Sequence, residues 1–274
     1  VRPVEKVRAV EGDTVAFAAG VHQPAAPGQR VREIHGPGLE ATLRNITLSC
    51  FAALLAVVSS APAASQQDLW IEPVFQESPV WCWAAVGEMV FRYYDVPNIN
   101  PVGNFQCGIV ALLGPVCNQN CGACQVPAGS IAVMNNMLRR YPAFAERVTG
   151  HPTGTIVTRI RNGPLSPRDL IEALDEGRPI VAGISPSGFG YRGVSEHVAL
   201  IVGYDYDYDD ELVLLVNDPF PYDHPMFAAL GNPFVQAGGT HVMLGQYAIH
   251  HRNFVRGLQW RESIIVQCRG DDCP

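Results

Sequence analysis

The run Gln76-Glu77-Ser78-Pro79-Val80-Trp81-Cys82-Trp83-Ala84-Ala85 is followed by Val86, Met89, Val90 and Tyr93, apolar residues at the i, i+3, i+4, i+7 spacing of one helix face. Ser78 stands where an N-cap would, Pro79 suits a first turn, and Pro97 is a stop signal, so the pattern predicts a helix from about residue 80 to Tyr94. Cys82 then falls in the first turn, where the positive end of the helix dipole favours a thiolate.

Downstream, the cysteine-rich stretch 104–129 reads as an irregular, cross-linked loop, and a short helix is expected from Ser130 to about Arg140. Ser166-Pro167-Arg168-Asp169 has the form of a helix start, and that helix should end near Gly177. The period then changes. Segments 179–184, 197–202 and 212–216 read as strands, with weaker ones around His241 to Ile249 and Ser263 to Val266. Helices first and antiparallel strands second imply an α+β fold, its helical half packed on a sheet half with a cleft between them.

A chain of 274 residues with 47% hydrophobic content can bury one core, and its formal net charge of -7 argues against nucleic acid or anionic membrane as partners. Lys6 is the sole lysine, which removes P-loop and Schiff-base lysine chemistry from everything after it.

The apolar run Ile46 to Ser60 follows Arg44 and leads into Ala61-Pro62-Ala63-Ala64-Ser65. It is short for a membrane span and exits through small residues, so a signal peptide cleaved near 63 to 65 is expected, with a buried helix as the alternative. The expected organisation is a mis-called or poorly ordered extension over 1–40, a signal peptide over 41–65, and one catalytic domain over 66–274. The mature protein would be secreted or periplasmic, monomeric, and free of the membrane once cleaved.

Eight cysteines occur, and Cys50 leaves with the signal peptide. Seven is an odd number for an exported chain, so one thiol is left over, and the surroundings of Cys82 set it apart. Cys107, Cys117, Cys121 and Cys124 are spaced C-x9-C-x3-C-x2-C; an oxidising compartment favours disulfides over zinc. Cys268 and Cys273 pair with each other or tie down the tail; connectivity stays open.

A cysteine nucleophile needs a base, a group that orients the base, and donors for an oxyanion. His197 opens an apolar strand after a Gly/Ser-rich loop; Asp218 follows the next strand, and a hairpin through the acidic turn 205–210 would bring the two to one end of the sheet. Gln76, six residues before Cys82, offers a side-chain amide beside the Cys82 backbone N–H. Asn217 competes with Asp218, because neighbours on a strand face opposite ways and only one can reach the histidine; Asp218 is preferred, since a carboxylate better stabilises an imidazolium.

Other features carry less. The run Asp205 to Glu211 alternates like a calcium loop, but Asp210 stands where glycine is needed and Val216 where glutamate is needed. His224, His241, His250 and His251 lack chelating helical spacing and read as structural or exposed, with His241 the second candidate base. Trp81 and Trp83 read as packing.

The Gln-x5-Cys spacing, the Trp-Cys-Trp-Ala-Ala helix start, His-Val-Ala-Leu-Ile-Val-Gly-Tyr and Val-Asn-Asp-Pro together resemble the papain-like cysteine peptidase superfamily. The likeness runs over about residues 70 to 220. It is greatest to the bacterial branches that trim bacteriocin leaders and to secreted effector proteases with a WCWAA motif. The resemblance implies Cys82 as nucleophile, His197 as base, Asp218 as its orienting partner and Gln76 as oxyanion donor. It implies a protein or peptide substrate and neither cofactor nor metal. Relatives with a long inhibitory propeptide use asparagine as the third residue, and here only about ten residues separate the expected cleavage site from Gln76. An acyl transferase with the same triad and an inactive binding protein are the alternatives.

Overall fold

The structure, a computed structural model, describes residues 66–127, 131–187 and 195–274. The expected extension and signal peptide lie outside the described residues. After a two-residue strand β1 (Gln67–Asp68) comes helix α1 (Cys82–Tyr93), which buries Trp83, Val86, Met89, Val90 and Phe91. Its start differs from the expectation. Trp81, not Ser78, is the N-cap residue, because Trp81 N donates to Ser78 O at 3.1 Å and closes a turn that holds Pro79 and Val80 outside the helix. Cys82 is therefore the first helical residue.

The cysteine-rich stretch is cross-linked as expected, but it is more regular than a loop. It contains α2 (Phe105–Val110), capped by the Asn104 side chain accepting from Cys107 N, and α3 (Pro115–Gln119), entered through Gly114. Disulfides join Cys107 to Cys121 and Cys117 to Cys124, and Cys268 pairs with Cys273. With all six of these cysteines bridged, single helical turns become stable at lengths where isolated helices are not. Among the described residues Cys82 is the free thiol.

Helix α4 (Ile131–Thr149) runs well past Arg140 and contains Pro142. Its buried residues Met134, Leu138, Tyr141 and Ala145 extend the apolar stripe to the helix's far end. Strand β2 (Thr155–Asn162) follows, and α5 (Pro167–Asp175) starts as expected, with Ser166 Oγ accepting from Asp169 N. Then come β3 (Ile180–Ile184), β4 (His197–Tyr206), β5 (Leu212–Asn217), α6 (Pro233–Gln236), β6 (Thr240–Met243), β7 (Gln246–His250), α7 (His251–Gly257) and β8 (Glu262–Arg269).

These strands form one antiparallel sheet, ordered β2-β8-β3-β4-β5-β7-β6, with β1 also paired to β4. The fold is α+β, as expected. The region from His241 to Ile249 is a hairpin rather than one strand, because Gly245 turns the chain at φ 80°. Strand β2 gave no sequence signal: it is an edge strand whose residues 159–162 are exposed, so it lacks an apolar alternation. No helix among the described residues is long and apolar enough to cross a membrane.

Candidate active site

The site lies where the start of α1 meets the beginning of β4. The indole N–H groups on either side of Cys82 fix that start: Trp81 donates to Cys124 O at 3.0 Å and Trp83 to Val126 O at 2.9 Å. The cross-linked stretch thus grips both flanks of Cys82. The tryptophans are buried, as packing residues would be, and each also finds a partner for its N–H.

Asp218 reaches His197 because of one extra residue in β4. From the hairpin turn the pairing runs Tyr206 with Leu212, Tyr204 with Leu214 and Gly203 with Leu215. If that register continued, Asn217 would stand opposite Ile201, on the His197 side of the sheet. Instead Ile201 pairs with Val216 and Leu200 with Asn217, leaving Val202 as a bulge. The bulge turns Asp218 to the side shared by Ile201, Ala199 and His197.

The geometry follows that register. His197 Nε2 lies 2.9 Å from Asp218 Oδ1 and 3.0 Å from Oδ2. Asp218 is fully buried and is itself held, its Oδ1 accepting from Phe220 N at 2.8 Å and its own N–H donating to Gly245 O at 2.8 Å. The Phe220 ring stands edge-on to the His197 ring, at 6.4 Å between centroids. Asn217 points the other way: its Nδ2 donates to Ile71 O at 2.7 Å and its Oδ1 accepts from Gln246 Nε2 at 2.9 Å.

Burial alone would pull the His197 imidazole down. The charge and hydrogen bond of Asp218 and the hydrogen bond and charge of Cys82 outweigh it and hold the ring well above its ordinary value of 6.5. With Nε2 committed to Asp218, Nδ1 is left for Cys82. A raised histidine beside a free cysteine is an arrangement in which the imidazole can exchange a proton with a thiol.

Gln76 is placed by its backbone and by its neighbours. Its N–H donates to Pro219 O at 2.9 Å, tying it to the residue after Asp218, and its Nε2 donates to Ser78 O at 2.8 Å. One amide hydrogen remains for another acceptor. Gln106, buried in α2, brackets the same segment: Nε2 donates to Phe75 O at 2.8 Å, and Oε1 accepts from Glu77 N at 3.0 Å. Gln106 had no signal in the sequence, since a glutamine beside a cysteine in a cross-linked stretch shows nothing of what it will bracket.

A cavity of about 250 Å³ opens beside Cys82 and His197. Three larger hollows, of about 320, 510 and 600 Å³, include neither residue. His241 is not part of the site; it packs on Tyr247 and lies 3.5 Å from Asp223. His224 Nδ1 accepts from Met226 N, and His251 bonds Leu165 O. His250 does approach Asp207 and Glu211, ligand atoms within 4.8 Å of one another, a grouping made across strands and so invisible to a search for helical spacing. Arg252 already supplies Glu211 with a cation there.

No curated protein matches the sequence. Among solved structures, the chain is similar to the proform of Amb a 11, a cysteine protease and major ragweed pollen allergen. The TM-score is 0.41 and the identity 14%, over 76% of this chain and 66% of that one, just under two thirds of its length. The model of the Peptidase_C39 like family matches residues 62–226, more than half of the sequence. The chain belongs to the Peptidase_C39 like family.

Proposed function

We propose that the protein is an exported cysteine endopeptidase in which Cys82 is the nucleophile, His197 the acid and base, Asp218 the residue that orients His197, and Gln76 a donor to the oxyanion. The observation that carries this reading is the buried Asp218–His197 pair with its charge and hydrogen-bond coupling to Cys82.

The Cys82 thiolate attacks the peptide carbonyl carbon, and the carbonyl oxygen gains the negative charge. The Cys82 backbone N–H, at the first helical position, has no partner within its own helix, and with the spare Gln76 amide hydrogen it supplies donors for that charge. Collapse breaks the C–N bond as His197 passes its proton to the departing amine. Water then attacks the thioester while His197 takes its proton, which releases the acid and restores the thiolate. Asp218 keeps Nε2 occupied throughout, so Nδ1 is the working nitrogen.

Three disulfides support a site of action outside a reducing cytosol. The test is iodoacetamide labelling with peptide mapping, beside casein and peptide turnover by the wild type and Cys82→Ala. Alkylation at Cys82 with loss of turnover in the variant is expected. Equal turnover by the variant would overturn the reading.

A further inference from the structure

We infer that the cavity beside Cys82 is a pocket for a basic side chain, lysine or arginine, adjoining the bond that is cut, with Glu262 as the residue that selects it. This rests on the peptidase reading and deepens it by naming a substrate class.

The register of the sheet builds the pocket. Gly183 of β3 pairs with Val198 of β4 on one side and Glu262 of β8 on the other, so Val198 and Glu262 point to the same side of the sheet with a glycine between them. The absent side chain leaves a gap, which Ser195 fills; a Cβ on Gly183 would collide with Ser195 Oγ. Ser195 Oγ donates to Glu262 Oε2 at 3.0 Å. Glu262, Ser195 and Val198 line the same cavity as Cys82 and His197.

Glu262 is 8% exposed, and none of the arginines among the described residues forms an ion pair with it. The adjacent Arg261 turns its guanidinium to Gln259 instead. The hydroxyl of Ser195 uses one of about four acceptor positions on the carboxylate. A carboxylate this buried is stabilised far more by a cation than by a single neutral donor. The residue is also rigid: its backbone is paired to β3, and its carbonyl accepts the Trp260 indole N–H at 2.8 Å.

The other walls fit the stem of such a side chain. Pro79, Val80, Pro127 and Ile131 are apolar and would cover the methylenes of a lysine or arginine whose charged end reaches Glu262. At about 250 Å³ the cavity is smaller than a typical small-molecule site, and it suits one extended side chain. Glu196 at the rim adds a second negative charge, its carboxylate engaged by the backbone N–H and hydroxyl of Ser187.

Peptidyl chloromethyl ketones and fluorogenic peptides carrying arginine, citrulline or leucine at the positions flanking the reactive carbon test this directly. Citrulline keeps the shape of arginine without its charge. At one position, arginine should exceed citrulline by at least about tenfold, both in the rate of Cys82 alkylation followed by intact mass and in kcat/KM. Glu262→Gln should collapse that ratio toward one through loss of the arginine rate, with alkylation by iodoacetamide reporting the reactivity of Cys82 itself. A wild-type ratio near one at every position overturns the inference whether or not the variant folds, as does a ratio that Glu262→Gln leaves unchanged. If Cys82 resists all the reagents and no peptide is cut, the peptidase reading itself fails, and this inference with it.

Discussion

Asp218 holds the Nε2 edge of His197 with both carboxylate oxygens, at 2.9 and 3.0 Å, and so leaves Nδ1 for Cys82. The carboxylate does two things at once: it fixes which nitrogen works, and its charge holds the ring's proton well above the ordinary value of 6.5 against the opposing pull of burial.

The sign of the pH dependence follows. A histidine raised in the folded state contributes stability that is fully present below its unfolded value and fades as pH climbs through the folded one. In the proposed mechanism the same proton is the one His197 gives to the departing amine, so activity should persist through neutral pH and fall on the alkaline side. Asp218→Asn removes the charge. It should lower kcat/KM by about 10²-fold or more and move the alkaline limb to lower pH. Profiles of kcat/KM and of Cys82 alkylation against pH check this; an unmoved alkaline limb would show that Asp218 does not set the His197 charge.

Asn217, one residue away, should behave differently. Its amide joins Ile71 O to Gln246 Nε2 in a fully buried setting. Asn217→Ala would strand both partners and destabilise the fold by about 2 to 3 kcal/mol, measured by urea unfolding. The folded fraction should retain the pH profile of the wild type. A shifted profile with unchanged stability would reverse the roles given to the two neighbours.

The contrast between Asn217 and Asp218 also marks how far sequence alone reaches. Cys82 at a helix start and His197 at a strand start followed from local patterns, because an apolar period is a property of a short window, and the odd count of cysteines needs no three-dimensional information. Which of the adjacent Asn217 and Asp218 meets the histidine depends on a bulge at Val202, and nothing in Ile201-Val202-Gly203 announces one. The chemistry of each side chain favoured Asp218; register decided it. Glu262 was further out of reach, because its approach to the site needs β8 and β3 in register and a glycine at 183. The pairing of the six bridged cysteines was likewise a matter of three-dimensional proximity.

The cross-links set up a third prediction, in which reductant acts in opposite directions. Mild reduction should keep Cys82 active. Stronger reduction should open Cys107–Cys121 and Cys117–Cys124, which close separations of 14 and 7 residues; Cys124 O holds the Trp81 indole, and Val126 O, two residues further on, holds that of Trp83. Activity against reductant concentration should therefore rise and then fall. Cys117→Ser with Cys124→Ser should lose about 2 to 3 kcal/mol of stability. A steady rise, with unchanged stability in the double variant, would mean that the stretch does not support the site.

Gln76 and Gln106 give the fourth. If the spare Gln76 amide hydrogen meets the oxyanion, its benefit exists only in the transition state, so Gln76→Ala should lower kcat by about 10²-fold with little change in KM. Gln106 touches the segment on both sides of Gln76, at Phe75 O and Glu77 N, and it also donates to Glu88 Oε2 of α1 at 3.2 Å. It thereby couples the position of Gln76 to the helix that carries Cys82. Gln106→Leu should lower kcat by about tenfold through misplacement of that donor, again with KM nearly constant. A positioning effect of this kind requires its target. In the Gln76→Ala background, Gln106→Leu should add almost nothing to the loss of kcat, whereas a general weakening of the fold would lower activity by the same factor in both backgrounds. Steady-state kinetics of the two single variants and the double variant therefore separate positioning of Gln76 from mere structural support.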